Sequence, residues 1–321
     1  MWRSGRLSGA ATATSGESGE GGEPSAAIGP SKPELGLPDA DPILAPGLYL
    51  VATPIGNLGD IGLRALKVLR GADRIYCEDT RVTRKLLARY GIPTPIEPYH
   101  DHNAEAVRPA VLAALRRGQR VALVSDAGTP LISDPGYKLV CAAIAEDLPV
   151  TAIPGASATL SALVVSGLPP DRFLFAGFLP RQASARRRAL SGWAELDATL
   201  IFYESPPRLA ASLADMAEIL GSRPAAVARE LTKLHEEVRR GQLGELAAHF
   251  RQAGPPRGET VIVVAPPPPP SPPGEAEIDR RLRAAVAAGG VREAAARLAG
   301  ETGLPRQALY RRALAIRGES R

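Results

Sequence analysis

Four short apolar runs in the first half of the chain each end in a turn rich in small, polar or proline residues. They are GLYLVAT at 47–53, RIYCE at 74–78, RVALVSD at 120–126 and PVTAIPG at 149–155. Amphipathic stretches at 62–70, 103–117 and 136–147 separate them. Strands that alternate with helices cannot pair as hairpins, so this pattern predicts a mainly parallel sheet covered on both faces. A second series follows, with FLFAGF at 173–178, TLIFYE at 199–204, AAVARE at 225–230 and ETVIVVA at 259–265. Helices fit at 183–197, 206–220 and 243–252, and Gly-Leu-Pro-Pro at 167–170 marks the boundary. The expected class is therefore α/β, in two lobes of residues 46–167 and 168–265.

The flanks differ in composition. Residues 1–45 are rich in Gly, Ser, Ala, Glu and Pro, with a net charge of −3 and no apolar period, and read as a disordered extension. Residues 266–274 form a proline-rich linker, stiff and extended. Beyond it, helices at 276–288, 291–299 and 305–316, with Gly300 and Gly303 in a turn, give the pattern of a small helix-turn-helix-like module at 275–321. That module carries ten arginines against six acids, the electrostatic footprint of a nucleic-acid partner. Two cysteines, Cys77 and Cys141, make no disulfide framework and point to a reducing, cytoplasmic setting. No window is apolar enough for a membrane span, and no secretory leader is legible.

Chemistry concentrates at the carboxyl ends of the runs, where α/β sheets bind ligands. The turn Thr53-Pro54-Ile55-Gly56-Asn57 is neither a dinucleotide fingerprint nor a phosphate loop. SDAGTPLISDPG at 125–136 is too rich in Pro, Gly and Asp for a mere connection, which needs about 2–6 residues. IPGASA at 153–158 permits close approach of a ligand or caps a helix through Ser157. FYESPPR at 202–208 leaves Glu204 and Arg208 without a purely local role, and RELTKLHEE at 229–237 is either a solvated face or a site. YHDHN at 99–103 is weak for a metal, since Asn103 or His102 serves as a helix cap, and no metal is expected.

Taken in order, LYLVATPIGNLGDI, YCEDTR, SDAGTPLISDPG, IPGASA, GFLPR, FYESPPRL, RELTKLHEE and GETVIVV resemble the ribosomal RNA small subunit methyltransferase I group of the tetrapyrrole methylase superfamily. The resemblance covers about residues 46–265 and extends into the tail. It implies a two-lobed tetrapyrrole-methylase-like fold, a homodimer, and S-adenosyl-L-methionine bound between the lobes. It further implies methyl transfer to the ribose 2′-hydroxyl of cytidine 1402, in the usual 16S rRNA numbering, on the small ribosomal subunit. Cofactor contacts are then expected at Pro54, Gly128, Thr129, Ile132, Ser157, Ala158, Tyr203, Glu204, Leu231 and Thr260. The superfamily's usual first loop, Gly-Pro-Gly-Asp, is replaced here by Thr-Pro-Ile-Gly-Asn, which argues against a porphyrinogen or precorrin substrate.

A sugar hydroxyl is a poor nucleophile near neutral pH, so a positioned proton acceptor is expected. Residues expected in the catalytic cleft are Glu204, Lys233, Glu236, Glu78 and Asp79. Arg81, Arg208, Arg186 and Arg187 are expected to meet RNA phosphates, the last two within the arginine-rich run 181–188. Two other readings compete: C-methylation of a tetrapyrrole on the same fold, and a DNA-binding regulator whose lobes only sense a ligand.

Overall fold

The computed structural model describes residues 44–268 and 274–319. All of the expected disordered extension but Leu44 and Ala45, and most of the proline-rich linker, lie outside the described residues.

The first lobe comprises β1 (Gly47–Val51), α1 (Leu63–Gly71), β2 (Arg74–Cys77), α2 (Thr80–Arg89), β3 (Ile96–Pro98), α3 (Ala104–Arg116), β4 (Arg120–Val124), α4 (Tyr137–Ala145), β5 (Val150–Ile153) and α5 (Ala158–Ser166). Its five strands pair in the order β3-β2-β4-β1-β5, all parallel. The alternation of a strand sends Leu48 to one face, with Val111 of α3 and Leu139 of α4. Tyr49 and Val51 go to the other, against Leu66 and Leu69 of α1 and Leu86 of α2. Burial on both faces is what a parallel sheet needs.

The second lobe comprises β6 (Phe173–Phe178), α6 (Ala183–Gly192), β7 (Thr199–Glu204), α7 (Pro206–Leu220), β8 (Pro224–Arg229), β9 (Glu237–Gln242), α8 (Leu243–Ala253) and β10 (Thr260–Val264). The order β6-β7-β10-β8-β9 is mixed: β6 and β7 pair in parallel, and the other neighbours pair antiparallel. Leu200 and Phe202 of β7, both fully buried, pack on α6, α7 and α8. Each such side chain contributes about 1.5–3 kcal/mol by burial. The opposite face, Ile201, Val261 and Val263, receives Ala162 and Leu163 of α5. The chain therefore turns into the second lobe at left-handed Gly167, but the helix before that turn already covers the second sheet. This handover carries the β5–α5 turn into the cleft.

The carboxy-terminal module is α9 (Glu275–Gly289), α10 (Val291–Thr302) and α11 (Arg306–Glu319), built on its own core of Leu282, Ala295, Leu298 and Ala313. Gly300 lies inside α10 and not in the turn, which Gly303 makes alone in the left-handed region.

Candidate functional site

Two loops stitched together make the floor of the cleft. Thr53 N–H donates to Gly128 O at 2.9 Å, and Gly128 N–H returns to Thr53 O at 3.0 Å. Thr53 Oγ1 donates to Ser125 O, and Ser125 Oγ to Gly128 O. Gly128 holds φ at +82°, and an added Cβ would lie 3.4 Å from Ile55, so backbone and not side chain faces the cleft here. Further along, Leu131 and Ser133 also adopt positive φ. Such residues cost about 1–3 kcal/mol each and cluster at ligand sites.

The second lobe presents a matching loop after β8, with Glu230 and Thr232 at positive φ. Glu236 accepts from Thr232 N–H at 2.6 Å, and Thr232 Oγ1 accepts from Asn57 N–H of the first lobe at 3.2 Å. Leu231, buried, is thereby turned into the cleft.

Between these loops lies a cavity of about 440 Å³. Ligand sites for small molecules run ~300–1,000 Å³ and are mainly apolar with a few polar groups. Every residue expected to contact the cofactor lines this cavity except Pro54, which lines a neighbouring one of about 310 Å³. Tyr203 is fixed there by its hydroxyl against Thr159 Oγ1 at 2.9 Å and by Phe175 and Phe178 packed edgewise on its ring. Thr260 Oγ1 donates to Glu204 O, tying β10 to β7 at the cavity wall.

The expected catalytic set is not brought together. Glu204 lines the cavity, but its carboxylate is buried and filled: Ser205 N–H, Ser212 Oγ and Arg208 all engage it. It is an internal clamp with no free lone pair aimed at a substrate. Glu236 holds the β8–β9 loop, as described, and lines neither cavity. Asp79 caps α2 and pairs with Arg81, whose side-chain and backbone hydrogen bonds hold it down to about 2, far too acidic to take a proton from a hydroxyl. Lys233 faces the second cavity. Burial pulls its ammonium down, but Glu230 at 2.8 Å and Glu259 at 2.9 Å outweigh this and raise it, so it stays a cation. Glu78 is raised by burial and by the charges of Asp126 and Asp101, yet lines neither cavity.

Asp126, Asp134 and Glu259 also line the large cavity, and none of the three is among the expected catalytic residues. Burial, followed by the charges of Glu78, Asp126 and Asp101, pushes Asp134 up to about 6. Asp126 lines both cavities and accepts from Asp79 N–H at 2.9 Å. The signal was present in SDAGTPLISDPG, where two Asp bracket the strained turn, but each alone reads as ordinary loop polarity.

Three of the arginines expected on RNA are engaged in the fold. Arg186 is buried and paired with Asp215 at 2.5 Å, so it is an internal ion pair and not a phosphate contact. Arg208 donates to Leu179 O and Pro180 O as well as holding Glu204, which fixes the Gly-Phe-Leu-Pro segment. Arg187 is half-exposed and shared between Asp215 and Glu218. Arg81 is exposed, with Asp79 its partner. Among the described residues no three metal-ligating side chains converge, and no helix is long and apolar enough to cross a membrane.

The profile of the tetrapyrrole (corrin/porphyrin) methylases matches residues 47–247, and that of the RsmI C-terminal HTH domain matches residues 272–317. A Mesorhizobium japonicum protein named ribosomal RNA small subunit methyltransferase I is 53% identical over 278 residues, covering 86% of this chain and 94% of its own. A Micromonospora olivasterospora protein of the same name is 49% identical, covering 86% and 88%. Among solved structures, diphthine synthase superposes with a TM-score of 0.53 at 17% identity, covering 68% of this chain and 89% of its own. The methyltransferase CobJ superposes at 0.52 and 20%, covering 68% and 94%.

Proposed function

The chain belongs to the tetrapyrrole methylases, and from that premise we propose that it methylates small-subunit ribosomal RNA with S-adenosylmethionine as donor. The acceptor is the ribose 2′-hydroxyl of cytidine 1402 of 16S rRNA, and the setting is the cytoplasm. The observation that carries this reading is the cavity of about 440 Å³, walled by Gly128, Thr129, Ile132, Ser157, Ala158 and Leu231 at strand ends. Small side chains and a left-handed glycine let backbone groups meet a polar ligand, while Ile132 and Leu231 offer apolar surface to a base. These residues fit S-adenosylmethionine, which when bound supplies an electrophilic methyl group. The names borne by the relatives support the RNA substrate.

The protein's own contribution is alignment and removal of a proton. Asp134, raised to about 6 and lining the cavity, would take the proton given up by the 2′-hydroxyl. Its pKa sits near working pH, where a general base is most effective. Lys233, held as a cation, offsets negative charge at the cleft. Exposed Tyr137 and Ile144 on α4, and Leu160 and Val164 on α5, offer apolar faces for a homodimer. The helical module at 275–321 is an RNA-docking accessory: Arg280, Arg281, Arg297 and Arg312 are spent on internal pairs, and Arg283, Arg292, Arg306, Arg311 and Arg317 make none among the described residues. Mapping ribose methylation of 16S rRNA in cells with and without this gene tests the function. One methylated cytidine is expected to disappear on deletion, and an unchanged map refutes the reading.

A further inference from the structure

The cavity beside Pro54, which Lys233 faces, is bordered by α2. This cavity, of about 310 Å³, shares Ile55, Asp126, Ala127 and Glu259 with the larger one, so a ligand in each would meet across a common wall. Val82, Thr83, Lys85 and Leu86 of α2 form its other side.

The surface of α2 is unusual in its charge. Arg81, Arg84, Lys85 and Arg89 are all exposed, on the face opposite buried Thr83, Leu86 and Leu87. Spacings of three and four residues place them along one side of the helix. A solvated surface helix ordinarily mixes signs at these spacings; α2 contains no acid at all. Arg84 and Lys85 have no ion pair among the described residues, and Arg89 lies over the ring of Tyr90 at 5.8 Å. Neighbouring α1 also exposes Arg64 and Arg70 and contains no acid. Arg70 donates to Tyr90 O, which joins the carboxyl ends of the two helices. α2 thus carries only positive charge beside a cavity of nucleotide size that its Lys85 lines.

Resting on the RNA reading above, we propose that this second cavity receives the target nucleotide, swung out of its strand, while Arg84, Lys85 and Arg89 hold the flanking phosphates. Chemistry on a nucleotide inside folded RNA requires such extrusion, and phosphate contacts fix its register. The shared wall then sets the sugar at the edge of the larger cavity, which Asp134 lines.

The full-length triple variant R84E/K85E/R89E tests the surface. Binding of a small-subunit rRNA fragment between 50 and 200 mM salt is measured by anisotropy, and S-adenosylmethionine affinity by calorimetry. Loss of three phosphate contacts should flatten the plot of log K against log salt by about 2–3. RNA affinity at low salt should fall at least ~10-fold, with cofactor affinity and melting temperature unchanged. Wild-type RNA affinity and slope in this variant overturn the docking surface. A second variant, V82W, fills the cavity: methyl transfer should fall at least ~10-fold with RNA and cofactor affinity kept, and normal transfer overturns the nucleotide assignment. If the wild-type chain methylates no rRNA, the functional reading fails and this proposal falls with it. A wild type that methylates beside indifferent variants overturns this proposal alone.

Discussion

Arg186 and Asp215 form an ion pair at 2.5 Å with side chains only 7% and 6% exposed, clamping α6 to α7 within the second lobe. Asp215 also accepts from Arg187 Nε at 2.8 Å. Breaking such a buried pair leaves one charge uncompensated, which costs about 3–5 kcal/mol. D215A is therefore expected to lower stability by about that amount in urea unfolding. A change below ~1 kcal/mol would return Arg186 to the surface role that its sequence context suggested.

Asp134 makes activity and stability pull in opposite directions. As a base it works only when ionised, so turnover should rise with pH through a midpoint near 6. D134N should reduce turnover by about 10²–10⁴ and abolish that midpoint. In the folded chain the group sits at about 6, above its unfolded value of about 3.9, so folding favours the protonated acid. The stability it contributes is complete below about pH 4 and is lost as pH rises through 6. D134N should consequently melt higher than wild type at pH 7 and lose the fall in melting temperature between pH 4 and 6. A variant that melts lower at pH 7 and keeps its turnover contradicts the assignment.

Filling the larger cavity should abolish cofactor binding without unfolding the chain. Gly128 is a poor place to do so, because its positive φ makes any side chain costly there. Ala158 opens α5 and lines the cavity, so A158L adds bulk on a helix former. Calorimetric affinity for S-adenosylmethionine should drop at least ~10-fold at an unchanged melting temperature. Unaltered affinity would move the cofactor elsewhere.

A chain ending at Pro268 lacks the helical module and its unpaired arginines. Its affinity for rRNA should weaken and its salt slope flatten, while cofactor affinity stays put, since no cavity residue lies beyond Val261. Normal RNA binding with a lowered melting temperature would make the module structural.

Much of this architecture is legible from apolar periodicity alone: β6, β7 and α7 fall at the residues that the pattern marks. Three elements escape it for separable reasons. β3 is three residues long, β9 is an edge strand whose Arg239 and Arg240 hide any alternation, and α2 begins beside Asp79 and Arg81, which the sequence places in the site although Asp79 caps the helix. Strand direction in the second sheet depends on how α5 and the β8–β9 hairpin fold back, which no local pattern encodes. The turns that line the large cavity were readable as ligand-contacting because small residues cluster in them. The raised carboxyl of Asp134 was not, because it comes from burial and then from the charges of Glu78, Asp126 and Asp101, two of them distant in sequence. For the same reason Arg186 looked solvent-facing: its partner lies 29 residues away.

The most direct measurement is transfer of a labelled methyl group from S-adenosylmethionine by the purified chain. Small-subunit rRNA, supplied free and assembled, is the acceptor, followed by nucleoside analysis. Label in 2′-O-methylcytidine, and its loss in D134N, are expected. Label confined to a base, or to a tetrapyrrole acceptor with none in ribose, contradicts methylation of the ribose 2′-hydroxyl.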